Sequence, residues 1–260
     1  MAEREVAERR PLLFYNAMND HKLKAYVYVD GFNLFYGCLK KTNSKWLDIN
    51  KLIGLYFPEY EIKKIKYFSA ITKARKSDLN KPVRQLAYFR ALKTLPNIEI
   101  TLGTFLENDV LMFVPEKDKF NKRQEANVEL NNIQEKLPLL GKNCLIVRKT
   151  EEKGSDVNLG THLIMDAYEK NFDVAIVISN DSDLAEPIKI ANKMPHIIMR
   201  LLNPYRSTNI KLQEAVNGNI KIIRQTALQN SQFPEDMTDA NGVFHKPDDW
   251  KLPPTSQFPQ

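Results

Sequence analysis

Short β-branched runs alternate with longer stretches of helical period through most of the chain. The runs fall at 24–30 (KAYVYVD), 62–71 (IKKIKYFSAI), 98–105 (IEITLGTF), 144–149 (CLIVRK), 173–179 (DVAIVIS), 196–202 (HIIMRLL) and 220–223 (IKII). Strands that alternate with helices predict a parallel sheet covered by helices, rather than separate all-α and all-β parts. In 80–95, NKPVRQLAYFRALKTL, the period predicts a helix with Val83, Leu86, Ala87 and Ala91 turned inward. Residues 105–121 break the alternation and predict a hairpin-like excursion before a helix of about 123–137. Both ends depart from the pattern. Residues 1–22 read as a charged extension and 23–224 as one α/β domain. Residues 225–260, rich in Pro, Asp, Asn and Gln, read as a tail that cannot build its own core.

Composition narrows the class. The chain has 260 residues, 43% of them hydrophobic, enough for a sizeable core. Its longest apolar runs, VAIVI at 174–178 and HIIMRLL at 196–202, fall far short of the ~20 residues of a membrane helix. The first twenty residues mix acids with bases and lack the apolar core of a signal peptide, so the expected location is cytoplasmic and no membrane partner is expected. Cys38 and Cys144 have no Cys or His neighbours at metal-binding spacing and read as small core residues. A net charge of +6 is compatible with a polyanionic partner but does not select one.

The candidate chemistry lies where strands end. In VYVDGFNLFYG, 27–37, a strand delivers Asp30 into a turn, with Gly31 next and Asn33 three positions on. In VAIVISNDSDLAEPI, 174–188, a strand stops at Ser179 and Asn180, Asp181, Ser182 and Asp183 follow. In EEKGSDVNLG, Gly154 supplies a turn and Asp156 opens a helix carrying Leu159, Leu163 and Ala167. Parallel sheets bind ligands outside the carboxyl ends of their strands, so these acids are expected to share one crevice. Gathered carboxylates oppose each other's ionisation unless a cation joins them. Mg2+ or Mn2+, which take hard oxygen ligands, fit that set. Taken alone, each acid reads more readily as an N-cap than as a ligand, and the case rests on the group. Asp166, ten residues beyond Asp156, reads as a surface residue.

The three stretches YVDGFNLFYG, EKGSDVNLGTHLIMDA and VISNDSDLAEPI, in that order and spacing, resemble the NYN domain family, in its LabA-like branch of the PIN-like nuclease superfamily. The resemblance covers roughly 24–224 and implies a three-layer α/β/α PIN-like (Rossmann-like) fold with a mostly parallel central sheet. It implies a metal-dependent ribonuclease whose acidic cluster maps onto Asp30, Asp156, Asp181 and Asp183, with Asn33 and Ser179 as supporting polar groups. Asn180 stands where many relatives carry Gly, and its side chain is expected to narrow the approach to the metal. A homodimer is compatible with the resemblance, although no stretch of the chain demonstrates one.

Bases and aromatics suggest where RNA, single-stranded or structured, would run. Lys153 lies beside the Gly154 turn, Arg84 and Tyr88 lie on the helix of 80–95, and Arg75 and Arg206 each follow a strand. Ser207 and Thr208 read as caps of the helix after 209. No pair of histidines is placed for acid–base work, so water activated by the metal is expected to attack, leaving 5′-phosphate and 3′-hydroxyl ends. The alternative is a non-catalytic PIN-like module that binds RNA or protein. A phosphatase of the haloacid dehalogenase type needs an Asp where Tyr28 stands, and is set aside.

Overall fold

The computed structural model describes residues 21–74, 78–113 and 144–251. Residues 1–20 of the expected extension of 1–22, Arg75 and the expected helix of 123–137 lie outside those residues. The chain divides into two compact units, one formed by 1–104 with 153–260 and the other by 105–152.

The first unit is built on strands β1 (Leu23–Asp30), β2 (Tyr60–Ala70), the inner part of β3 (Ile98–Phe113), β5 (Val174–Ile178), β6 (Ile198–Asn203) and β7 (Ile220–Ile222), in the spatial order β3-β2-β1-β5-β6-β7. Each adjacent pair is parallel. All seven runs of β-branched residues in the sequence are strands. Five residues of β5 are buried in succession, as expected where helices cover both faces of a sheet.

Alternation along the strands sends side chains to two cores. Val27, Val29, Tyr67, Ile176 and Ile178 pack on one face with helices α1 (Gly31–Leu34), α2 (Ile49–Tyr56) and α3 (Lys81–Leu92). Tyr28, Phe68, Ala175 and Val177 pack on the other with α4 (Ser155–Tyr168), α5 (Ala185–Asn192) and α6 (Ile210–Ala215). The result is a three-layer α/β/α arrangement. Its order follows from handedness: the chain steps outward from β1 in opposite directions in its two halves, so right-handed crossovers put their helices on opposite faces. The strand order reverses between β1 and β5, and that is where an open parallel sheet leaves a crevice.

In the second unit the outer part of β3 neighbours β4 (Cys144–Lys153), and Asp109 accepts from Arg148 at 3.0 Å. The run of 105–113, at the start of the expected hairpin-like excursion, continues β3 into this unit. None of the described helices is long and apolar enough to cross a membrane.

Three expectations are corrected by packing. The inward face of α3 is rotated: Val83 and Leu86 are 65% and 48% exposed, whereas Ala91 is buried and Ala87 packs against the core as expected, joined by Tyr88, Phe89 and Leu92. Asp166 is not a surface residue but only 7% exposed, on the same helix face as Leu159, Leu163 and Ala167. Its Oδ2 accepts from Tyr28 Oη at 2.7 Å and pairs with Lys66 Nζ at 2.6 Å, and Lys66 in turn lies 3.3 Å from His162 Nδ1. Burial, then the Asp166 charge, pushes the Tyr28 phenol well up, so it serves as a donor.

The third correction concerns 225–260, whose described part, to Lys251, is not a tail. Helix α7 (Gln225–Asn230) leads to a hairpin of β8 (Asp236–Asp239) and β9 (Gly242–His245), and this segment completes the first core. Trp46 is the hub. Its Nε1 donates to Pro234 O at 2.7 Å, and its ring lies against Tyr88, Phe233, Phe244 and Trp250 at 6.1–6.4 Å between centroids. Arg90 makes a two-pronged pair with Asp239, both bonds 2.7 Å, and lies over the Phe244 ring. The segment lacks a core of its own because its aromatics are spent on this one. Of the cysteines, Cys38 is half-buried and donates to Leu34 O, and burial pushes its thiol up to about 12.

Two predictions follow from this packing. Trp250→Ala is expected to cost about 3–5 kcal/mol in urea unfolding, the usual range for a large buried aromatic, and truncation after Gln225 more. Asp166→Ala strands Lys66 in the interior and is expected to cost about 3–5 kcal/mol, whereas the double change Lys66→Met with Asp166→Leu recovers most of that loss.

Candidate active site

The carboxyl ends of β1 and β5 meet through a hydrogen-bond network. Asp30, at the last position of β1 and 5% exposed, uses both oxygens: Oδ1 accepts from the Asn33 backbone N at 2.9 Å and Oδ2 from Ser179 Oγ at 2.9 Å. The first of these is the N-cap bond of α1, so capping and site formation are one arrangement. Ser179 Oγ also accepts from Asp181 N at 3.0 Å, and Asn33 Oδ1 accepts from Asn180 N at 2.8 Å. Asn33 and Ser179 therefore splice the two strand ends. Gly31 fits because Tyr67 leaves no room, a Cβ there falling 2.6 Å from the phenol oxygen.

Asp156 arrives from a third segment. Gly154 ends β4 with φ of +98°, a conformation L side chains rarely adopt, and reverses the chain into α4. Asp156 sits in the first turn of that helix, where the dipole favours an acid. One carboxylate oxygen from each of Asp30, Asp156 and Asp181 lies within 4.8 Å of the others. Hard oxygen donors gathered on this scale suit a small divalent cation such as Mg2+ or Mn2+. The charge of Asp30 is felt nearby: burial, then Asp30, pushes the Tyr67 phenol up, and burial followed by Asp30, Cys38 and Asp181 does the same at Tyr205.

The other expected residues are distributed differently. Asp183 is exposed and outside the trio. It lies two positions on from Asp181 in a tight turn of about three residues, which carries its side chain roughly 240° round, while its backbone N donates to Asp181 Oδ1 at 3.0 Å. Asn180 does not project over the acids; its Oδ1 accepts from Asn209 N and its Nδ2 donates to Ser207 O, tying the β5 end to the loop after β6. Asn209, rather than Ser207 or Thr208, caps α6. Thr208 accepts from Asn203.

Among the bases, Lys153 is exposed next to Gly154, and Arg206 is exposed beyond β6. Arg84 is engaged by Asp78 and Asp249. Tyr88 is buried, with its hydroxyl donating to Leu47 O at 2.9 Å, and cannot stack a base from the surface. The histidines lie away from the acids: His21 precedes β1 at the end opposite Asp30, His162 is beside Lys66 and Phe68, His196 beside Ala167 O and His245 beside Asp236.

Comparison with known proteins leaves the family open. No protein-family model matches the chain. The chain is similar to 6-hydroxy-3-succinoylpyridine 3-monooxygenase HspA of Pseudomonas putida, at 26% identity over 258 residues, covering 90% of this chain and 77% of that protein. A crystal structure of a Vibrio parahaemolyticus protein of unknown function aligns over 79% of this chain and 96% of that one, with 18% identity and a TM-score of 0.48.

Proposed function

We propose that this protein is a metal-dependent endoribonuclease of the NYN type. The observation that carries the reading is the gathering of Asp30, Asp156 and Asp181 from three separate segments at the point where the strand order reverses. A divalent cation bound there would supply Lewis acidity toward a phosphate oxygen and lower the pKa of water. The chain's own part is orientation. Ser179 and the Asn33 backbone hold the Asp30 carboxylate as an acceptor. Asp181 is fixed through the Ser179 hydroxyl and through its own bond to Asp183 N. With no histidine among the described residues at the acids, proton transfer through imidazole is not part of this reading. Lys153 and Arg206, both exposed, are the phosphate contacts it assigns.

A second reading is favoured by one observation, the similarity along most of the chain to a protein named as a monooxygenase. Here the chain would transfer one oxygen atom of dioxygen to a substituted pyridine, the other leaving as water with two electrons and two protons from a separate reductant. Activity follows the site rather than the fold, and at this distance the acid cluster weighs more.

Incubation of the full chain with total RNA in Mg2+, Mn2+ or EDTA separates the readings. Cleavage that needs the cation and leaves 5′-phosphate and 3′-hydroxyl ends is expected, and Asp30→Asn and Asp181→Asn are expected to abolish it. Fragments with 2′,3′-cyclic phosphate, formed equally in EDTA, overturn the mechanism. Oxygen consumption with 6-hydroxy-3-succinoylpyridine and a reduced nicotinamide, without RNA cleavage, replaces it with the second reading.

Cation binding has its own readout. A cation at a hundred times its Kd stabilises the folded state by about 2.7 kcal/mol, so melting is expected to shift upward with Mn2+ and not in Asp181→Asn. Ser179→Ala, which removes support from Asp30 and Asp181 but no ligand, is expected to weaken cation affinity about 10–100-fold.

A further inference from the structure

Beside the acid cluster, on the α1–α3 face of the sheet, lies a cavity of about 360 Å3 that the nuclease reading does not use. That volume is within the range of small-molecule sites, about 300–1,000 Å3. Its walls combine flat rings with positive charge. Phe32 and Tyr36, one turn apart, stack at 6.4 Å with 25° between their planes, and Trp250 closes the cavity from the C-terminal segment. Lys40, Lys45, Lys81 and Arg84 line it, with Asp78 as the one carboxylate among the described residues. Asp78 and Asp249 are taken up by Arg84. Among the described residues no carboxylate pairs with Lys45 or Lys81. The charge on Lys45 is disfavoured by burial and then by Arg84 and Lys246, so an anion would relieve a repulsion the free protein carries.

A second, independent feature points into the same space. Tyr67 and Ser69, two apart on β2 and so on the same face, line the cavity while only 5% and 2% exposed. Among the described residues neither hydroxyl has a hydrogen-bond partner. Neither oxygen is shut off from solvent, so both hydroxyls present their hydrogen-bonding capacity to the cavity, where a ligand can use it. Nearby groups that are satisfied show the contrast: Gln85 is locked by Thr72 and Ala70 O, which makes the wall rigid before anything binds.

We propose that this cavity binds a planar aromatic ring bearing an anionic group, with the ring against Phe32 and Tyr36, the anion toward Lys45 and Lys81, and polar ring atoms meeting the Tyr67 and Ser69 hydroxyls. A nucleotide and a free aromatic acid share that chemistry. The site does not depend on RNA cleavage for its existence.

Isothermal titration calorimetry on the full chain tests it with uridine 5′-monophosphate and 4-hydroxybenzoate, against their neutral counterparts uridine and 4-hydroxybenzamide and against cyclohexanecarboxylate. At least one aromatic anion is expected to bind saturably, at least tenfold more tightly than its neutral counterpart and than the saturated acid. Lys45→Ala and Tyr67→Phe, each confirmed folded by circular dichroism, are expected to weaken it at least fivefold. Binding by the nucleotide alone identifies a nucleotide as the source, and binding by the benzoate alone a free acid. Absence of saturable binding by either anion at millimolar concentration overturns the proposal, as does equal affinity for the neutral counterpart or unchanged affinity in both variants.

Discussion

The carboxylate of Asp30 is the point on which the structure turns. It ends the central strand, caps the helix that follows and accepts from Ser179 on the neighbouring strand, so one side chain joins the two halves of the sheet. An acid 5% exposed is tolerable only with such partners, because burying an ionised group without them carries a large desolvation cost. The hydrogen bonds that satisfy it also fix it beside Asp156 and Asp181. Local stability and the concentration of negative charge thus arise from the same bonds.

The opposite face of the sheet solves a similar problem without leaving an opening. Asp166 is surrounded by Tyr28, Lys66 and Asn171, a closed set with donors for its oxygens. The contrast separates two uses of a buried acid in one fold. Asp166 is neutralised by a protein cation, whereas Asp30 is oriented by Ser179 and the Asn33 backbone, and its charge is felt at Tyr67 and Tyr205.

Much of this was legible in the sequence because strand ends are local features. A β-branched run that stops at an acid places that acid on the carboxyl edge, which is why Asp30 and Asp181 could be expected together, and Gly154 announced the turn that brings Asp156. The gap between Asp181 and Asp183 was harder, since it depends on the pitch of one tight turn. Asp166 could have been found, as its spacing from Leu159 and Leu163 puts it on the buried face of α4, but an isolated acid at that spacing gives no sign of a lysine arriving from β2. The C-terminal aromatics were misleading for a related reason. Phe233, Phe244 and Trp250 are too sparse to cluster among themselves, and only Trp46, far away in sequence, gives them a shared core. Nothing local marks Tyr67 and Ser69, whose place on a cavity wall becomes visible only when every neighbour is in place.

The bond from Ser179 to Asp30 joins residues 149 apart in sequence, and the pairing of β5 with β1 that supports it spans the same distance. Contacts of that range form slowly, because the chain entropy lost on closing the loop comes before any reward in burial. A chain that has assembled β1, β2 and β3 holds Asp30 with its cap but without Ser179, and without Asp156 or Asp181 nearby. The three acids therefore come together only when both halves of the sheet are paired, and a chain lacking the second half has no means of binding a cation through this trio.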